Sequence, residues 1–144
     1  MEPFSVRSAR LGDVERLVGL CGQLGYPVAA ETLSQRLEAI GESGAHAVYV
    51  ASVPDGQVIG WVQVCARTQI LVDRLADIEV LVVDQQHRRR GVGQRLVAKA
   101  EDWARVQGCE SIRVRSYVLR LAANEFYPAL GYENFMTWQV YRKA

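Results

Sequence analysis

Apolar and polar positions along this chain change their period several times, and each change marks an element. Val14, Leu17, Val18, Cys21 and Leu24 recur at helical spacing, so residues 13–24 predict an amphipathic helix. Gly25-Tyr26-Pro27 stops it, and residues 31–40 predict a second helix with Leu33, Leu37 and Ile40 as its inner stripe. Phe4 to Arg7 alternates as a short first strand. Residues 47–53 and 58–67 predict two strands joined by Pro54-Asp55-Gly56-Gln57, where proline presets one φ and glycine accepts a positive one. Residues 76–83 are rich in branched side chains, as a central strand is. A helix then runs from Val92 to about Gln107, turning Leu96, Ala100, Trp103 and Ala104 inward. A strand over 111–114, a short helix over 121–130 and a last strand over 135–141 that closes the sheet complete the chain. The order βααβββαβαβ, an antiparallel meander followed by strand–helix–strand units, predicts an α/β fold with a mixed, mostly antiparallel sheet flanked by helices. Residues 1–144 hold no repeat, low-complexity segment or linker and predict a single domain.

Composition narrows the class. Apolar residues make up 49% and charged residues 23%, with a net charge of +1, an ordinary balance for a water-soluble globular domain. That balance argues against a general nucleic-acid or membrane binder. Cys21, Cys65 and Cys109 are odd in number and far apart, which gives neither a disulfide framework nor a zinc pattern. Three buried, reduced thiols in a cytoplasmic protein are expected, and no metal site. The first residues lack an apolar signal core, and no apolar run approaches membrane-spanning length.

Positive charge is concentrated at Arg88-Arg89-Arg90-Gly91-Val92-Gly93, between the apolar run Ile78 to Val83 and the Val92 helix. A strand, a short basic glycine loop and a helix N-terminus together build an anion site: glycines let backbone N–H groups come close, and the helix end adds unpaired donors and a positive dipole. The guest expected there is a phosphate or pyrophosphate. Three contiguous arginines also fit a nucleic-acid patch, but no aromatic residues interleave them and no wider basic field surrounds them.

The same hexapeptide resembles the Gln/Arg-x-x-Gly-x-Gly/Ala motif of the GNAT superfamily of acyl-CoA-dependent N-acyltransferases and matches it at every fixed position. About thirty residues on, Arg120-x-x-Ala123-Asn124-x-Phe126-Tyr127-x-x-Leu130-Gly131-Tyr132 is similar to the family's late helix. The element order agrees with the family from end to end. Leu24-Gly25-Tyr26-Pro27, between two helices, is similar to many bacterial members but less diagnostic.

The resemblance implies a GNAT fold, acetyl-CoA as co-substrate and no metal. It implies that Arg88, Arg89, Arg90, Gly91, Val92, Gly93 and Gln94 surround the pyrophosphate, and that Gly91 and Gly93 permit close approach. It places the pantetheine arm along Leu81, Val82 and Val83 in the manner of an added strand, and Asn124 within reach of the cofactor. Tyr127 becomes the candidate general acid toward the departing thiolate. Pro128, which follows Tyr127 where a polar residue is more usual, is expected to leave the Asn124 carbonyl without its helical donor and to bias Tyr127 away from helical geometry. Glu79 is favoured over Asp77 as general base. Both carboxylates are also candidates to bind the acceptor, with Leu24 and Tyr26 on one wall of its cleft. Trp61 is expected in the core or an interface, on the third strand within reach of the acceptor cleft, and His46 and His87 receive no chemistry. The expected reaction is direct acetyl transfer to a primary amine of a small molecule or peptide in a ternary complex. A non-catalytic acyl-CoA-binding regulatory domain of the same fold is the alternative. Analogy admits a homodimer, but no interface is legible.

Overall fold

The computed structural model describes residues 3–115 and 121–144. Five strands form one sheet in chain order: β1 (Ser5–Ser8), β2 (His46–Ser52), β3 (Val58–Arg67), β4 (Leu75–Val83) and β5 (Ser111–Val114). The first four pair antiparallel and β5 joins β4 in parallel. Helices α1 (Val14–Gln23) and α2 (Ala30–Glu42) lie between β1 and β2 in the chain, α3 (Val92–Val106) between β4 and β5, and α4 (Leu121–Ala129) after β5.

The sheet separates two cores. On one face Val62, Val64, Ala76 and Ile78 pack against Val92, Leu96, Val97 and Ala100 of α3. On the other, Val50, Trp61 and Val82 pack against Leu17, Leu20 and Cys21 of α1. The expected stripe of α2 is only half-buried, because α2 covers a margin of α1 and β2 and has no fully buried residue. Cys21 and Cys65 are buried; Cys109, in the turn after α3, is half-buried.

Three helices end in one device. After α1, the Tyr26 N–H reaches the Cys21 carbonyl at 3.1 Å and the Gly25 N–H reaches Gly22 at 3.0 Å, with Gly25 at φ +82°. The same paired bonds close α3 at Gly108 and α4 at Gly131. This is the Schellman arrangement, whose left-handed residue a glycine enters at no Cβ cost. It explains why Leu-Gly-Tyr occurs at both 24–26 and 130–132. Helix α4 runs through Pro128, which sits in its last turn, so Tyr127 stays helical despite the expected bias.

One expected element is absent. Among the described residues, 135–141 pairs with no strand, and Phe135, Met136, Trp138, Val140 and Tyr141 stand exposed. The strand expected there rests on strand-forming side chains, but a strand also needs a sheet edge in register, which local sequence does not supply.

Candidate active site

Glu79 owes its position to a β-bulge. Gln63 of β3 lies opposite Val80 and Val64 lies opposite Ile78, so Glu79 is the extra residue of β4. Such a bulge re-aims a side chain and interrupts the ladder. Just before it, at Ile78 opposite Val114, the described pairing with β5 ends, so from Glu79 to Val83 β4 has a described partner only in β3. The strand edge expected along Leu81, Val82 and Val83 is therefore open on the β5 side among the described residues. Val82 is buried on the α1 face, while Leu81 and Val83 pack toward α3.

Beyond this edge the chain turns into the basic loop. Arg89 takes φ +63° and Gly91 φ +79°. The first is rare for a side-chain-bearing residue and costs roughly 1–2 kcal/mol. Gly91 is the N-cap of α3 and offers no capping side chain. The helix ladder closes first at Arg95, whose N–H reaches the Gly91 carbonyl at 3.1 Å. The N–H groups of Val92, Gly93 and Gln94 precede it and are the orphan donors of a first helical turn. Arg88, Arg89, Arg90 and Gln94 are exposed around them, while the Val92 side chain is buried in the α3 core. Gly91 has open space where a Cβ would stand, so its own requirement is the backbone angle. A Cβ on Gly93 would lie 3.2 Å from the Phe126 ring, so Gly93 also lets α4 seat on the first turn of α3. A Cβ on Gly60 of β3 would meet the Val82 carbonyl at 2.9 Å and Leu96 and Val92 at 3.2 Å. Gly60, which the sequence does not single out, therefore sets how closely the α3 N-terminus approaches the sheet.

The carboxylates are more constrained than the sequence implies. Asp77 is 2% exposed, between an arginine on each neighbouring strand. Arg67 Nε donates to it at 2.6 Å and Arg113 Nε at 2.5 Å. Arg67 Nη2 also donates to Glu79 Oε1 at 2.9 Å, and the Cys65 thiol lies 3.0 Å from that oxygen. Both contacts fall on Oε1, which leaves Glu79 Oε2 without a partner among the described residues. Burial, then the hydrogen bond to Glu79, push the Cys65 thiol up to about 11, so it stays protonated and donates. Cys65, Asp77 and Glu79 lie close enough to hold a metal ion, with their ligand atoms within 4.8 Å of one another. Two guanidinium groups already neutralise the carboxylates and the third group is a protonated thiol, so this donor set does not suit a cation. Arg67, Arg113 and Cys65 are absent from the sequence-derived site; only the cross-strand register, including the bulge, brings them to the acids.

Tyr127 lies elsewhere. It is half-buried in the α3-side core. Its ring meets Phe126 edge-on at 5.0 Å and Tyr132 at 5.8 Å. The Tyr132 hydroxyl donates to Glu101 of α3 at 2.8 Å, and burial together with that bond raises its ionisation well above the ordinary phenol range. The sheet thus separates Tyr127 from Asp77 and Glu79, which lie with Cys65 and Arg67 on the α1 face, and the open edge of β4 lies between the two groups. Asn124 is exposed on α4, and Arg120 falls outside the described residues. Leu24 packs against the α1-side core and Tyr26 is exposed, both on the turn between α1 and α2 as expected. The buried Trp61 indole N–H finds no partner among the described residues.

The turn between β4 and the basic loop is anchored to α1. Asp84 is buried at its start and accepts from Arg16 Nη2 at 2.5 Å, Gln23 Nε2 at 3.3 Å and the Gln86 N–H at 3.2 Å. Gln23 also accepts from the Gln85 N–H at 3.0 Å, and Arg16 Nε donates to the Val58 carbonyl at 2.7 Å. Burial opposes the Asp84 charge, but these donors outweigh it and hold the carboxyl below its ordinary range. His87 Nδ1 lies 3.3 Å from Asp84 without a well-directed hydrogen bond.

Known proteins resemble this chain in sequence and in fold. The model of the Acetyltransferase (GNAT) family matches residues 15–132. An aminoglycoside N(6')-acetyltransferase type 1 of Klebsiella aerogenes is 30% identical over 100 residues, which cover 67% of this chain and 66% of that protein, just under two thirds of its length. Glucosamine 6-phosphate N-acetyltransferase 1 of Oryza sativa subsp. japonica is 30% identical over 118 residues, 77% of this chain and 72% of that protein. A solved structure of aminoglycoside N-acetyltransferase AAC(6')-Iy in complex with CoA superposes with a TM-score of 0.89 at 22% identity, covering 99% of this chain and 96% of that one.

Proposed function

The chain belongs to the GNAT acetyltransferase family, and on that premise we propose that it moves an acetyl group from acetyl-CoA to a primary amine of a small molecule or peptide by direct transfer in a ternary complex. One observation carries this reading: among the described residues, a helix N-terminus without a side-chain cap, in a basic, partly left-handed loop, continues directly from a strand edge left open beyond Ile78. The first suits a pyrophosphate and the second suits an amide-bearing arm. A donor bound to both presents its thioester near the bulge at Glu79.

The chemistry follows from the groups at that edge. The amine arrives as an ammonium and must shed a proton before its lone pair attacks. Glu79 is the base, acting through Oε2, because Arg67 and Cys65 hold only Oε1. The C–N bond forms at the thioester carbonyl, and backbone N–H groups of the open edge stabilise the oxyanion. Collapse breaks the C–S bond. Of the two protons that the ammonium loses overall, one leaves to solvent through Glu79, and Tyr127 returns the other to the CoA sulfur. Asp77 has a structural part: it holds Arg67 and Arg113 in place and so orients Glu79. The named relatives take amino sugars, and a small-molecule amine is the acceptor class favoured here.

The deciding experiment is a thermal-shift assay with acetyl-CoA followed by thiol-release assays over an amine panel that includes aminoglycosides and amino-sugar phosphates. Stabilisation by acetyl-CoA and thiol release with one acceptor class are expected. No stabilisation overturns the donor assignment. Stabilisation without thiol release on any amine favours an acyl-CoA-binding regulatory domain.

A further inference from the structure

On the α1 face the sheet changes character along its strands. Val50, Trp61 and Val82 lie under α1. Farther along, the register sets Cys65 opposite Asp77 and Asp77 opposite Arg113, with Arg67 and Glu79 bonded to them. Two members of this cluster reach solvent. The Arg67 side chain is 42% exposed and that of Glu79 30%, whereas Asp77 keeps 3%. One hydrogen bond joins the exposed pair, from Arg67 Nη2 to Glu79 Oε1 at 2.9 Å. Arg67 Nε is committed to Asp77, so Nη1 is left without a partner among the described residues, as Oε2 of Glu79 is. Nη1 shares its carbon with Nη2, and Oε2 shares its carbon with Oε1. A free donor and a free acceptor therefore adjoin the same ion pair.

We infer, resting on the acetyl-transfer reading above, that the Arg67–Glu79 pair selects a zwitterionic acceptor: an amine that carries a carboxylate or phosphate a few bonds away. The ammonium meets Glu79 Oε2. The anion meets Arg67 Nη1, part of a planar group that grips oxyanions through directed N–H bonds. Charge favours this class over a polycation. Within the cluster two guanidinium groups match two carboxylates, so the face offers no surplus negative charge to a second or third ammonium. The balance shifts during the reaction. When Glu79 takes the amine proton, one carboxylate faces two guanidinium groups, and an anion beside Arg67 restores neutrality at that moment. A polycation meets the same excess with more positive charge and is selected against.

The test is calorimetric titration of matched acceptors into the full chain in the presence of CoA: glucosamine 6-phosphate against glucosamine, β-alanine against its amide, and spermidine as the polycation. In at least one pair the anion-bearing member is expected to bind about tenfold more tightly or better, and more tightly than spermidine. Which pair responds tells whether phosphate or carboxylate is read. Arg67→Gln is expected to reduce that preference to about twofold or less. Arg67→Lys keeps the charge without the planar fork and is expected to lose only part of it, and it serves alone should the glutamine variant fail to fold. A loss shared equally by both members of a pair makes Arg67 a positioning residue only and overturns the assignment. So does a wild type that prefers glucosamine, the amide or spermidine, or that binds no acceptor. Thiol release is read separately: an anion preference in binding, without release on any amine, supports the ligand class and overturns the transfer reading instead.

Discussion

The basic loop and the carboxylate cluster lie at opposite ends of the same stretch of β4, and they are built by different means. The loop is a backbone construction: Gly91 supplies a left-handed angle, Gly93 and Gly60 supply clearance, and the N–H groups of the first turn of α3 do the presenting. The cluster is a side-chain construction: Arg67 and Arg113 come from strands on either side and hold Asp77 and Glu79, with the Cys65 thiol also donating to Glu79. A backbone site keeps its geometry when its exposed side chains change. A side-chain site fails when one charged member is removed, because the remainder is left uncompensated.

That contrast is open to direct attack. The largest effect is expected from Asp77→Ala, which leaves two guanidinium groups facing each other; about 3 kcal/mol of unfolding free energy should be lost, read from denaturant midpoints. A loss under ~1 kcal/mol would place the pair among ordinary surface ion pairs. Next, Glu79→Gln and Tyr127→Phe should each lower kcat by about 10²-fold or more while acetyl-CoA affinity holds. An unaltered kcat removes that residue from its proton-transfer role. Smaller again, Arg88→Ala with Arg90→Ala should weaken CoA binding roughly tenfold, ~1.4 kcal/mol, without moving the melting temperature. If affinity is unchanged, the loop does not hold the pyrophosphate through these side chains.

The smallest expected effect is on stability against pH. Asp13 is held below its ordinary range by Arg7, and Asp84 by its donors against the opposing cost of burial. Both bind protons more weakly in the folded chain than in the unfolded one. Their contribution is therefore complete above the unfolded carboxyl range and disappears as pH falls through it toward the folded values. Melting temperature should stay level from neutral to about pH 5 and fall below about pH 4. Asp84→Asn should flatten that fall by a few degrees. An unchanged slope would assign the acid sensitivity to other groups.

The difference between the two ends of β4 also explains what was legible in the sequence. The strand, loop and α3 announce themselves through periodicity and glycine spacing, which are local properties, and the strand at 111–114 is found where the pattern puts it. The acids at 77 and 79 are visible, but their arginines are not, since Arg67 and Arg113 lie ten and thirty-six residues from Asp77 in the chain. The bulge that turns Glu79 toward Arg67 adds a register step that no pattern of apolar residues encodes. Gly60 is unreadable for a related reason: its need for clearance comes from the Val82 carbonyl on the neighbouring strand and from Val92 and Leu96 of α3, all distant in the chain. At 135–141 the side chains favour a strand, but pairing needs a sheet edge in register, which the local pattern does not encode.

Asp84 has a thermodynamic consequence. Its carboxylate is shared between the turn that leads into the basic loop and helix α1, whose C-terminal end at Gln23 leads into Leu24 and Tyr26. On the proposed reading, a donor that stiffens the loop would also restrain the wall proposed for the acceptor. Coupling of this kind is reciprocal, so whatever donor occupancy does for the acceptor, the acceptor does for the donor by the same factor. Arg16→Ala should bring that factor toward unity, measured as the ratio of CoA dissociation constants with and without acceptor. On the proposed reading, a single buried acid would let the two substrates sense each other before any bond is made.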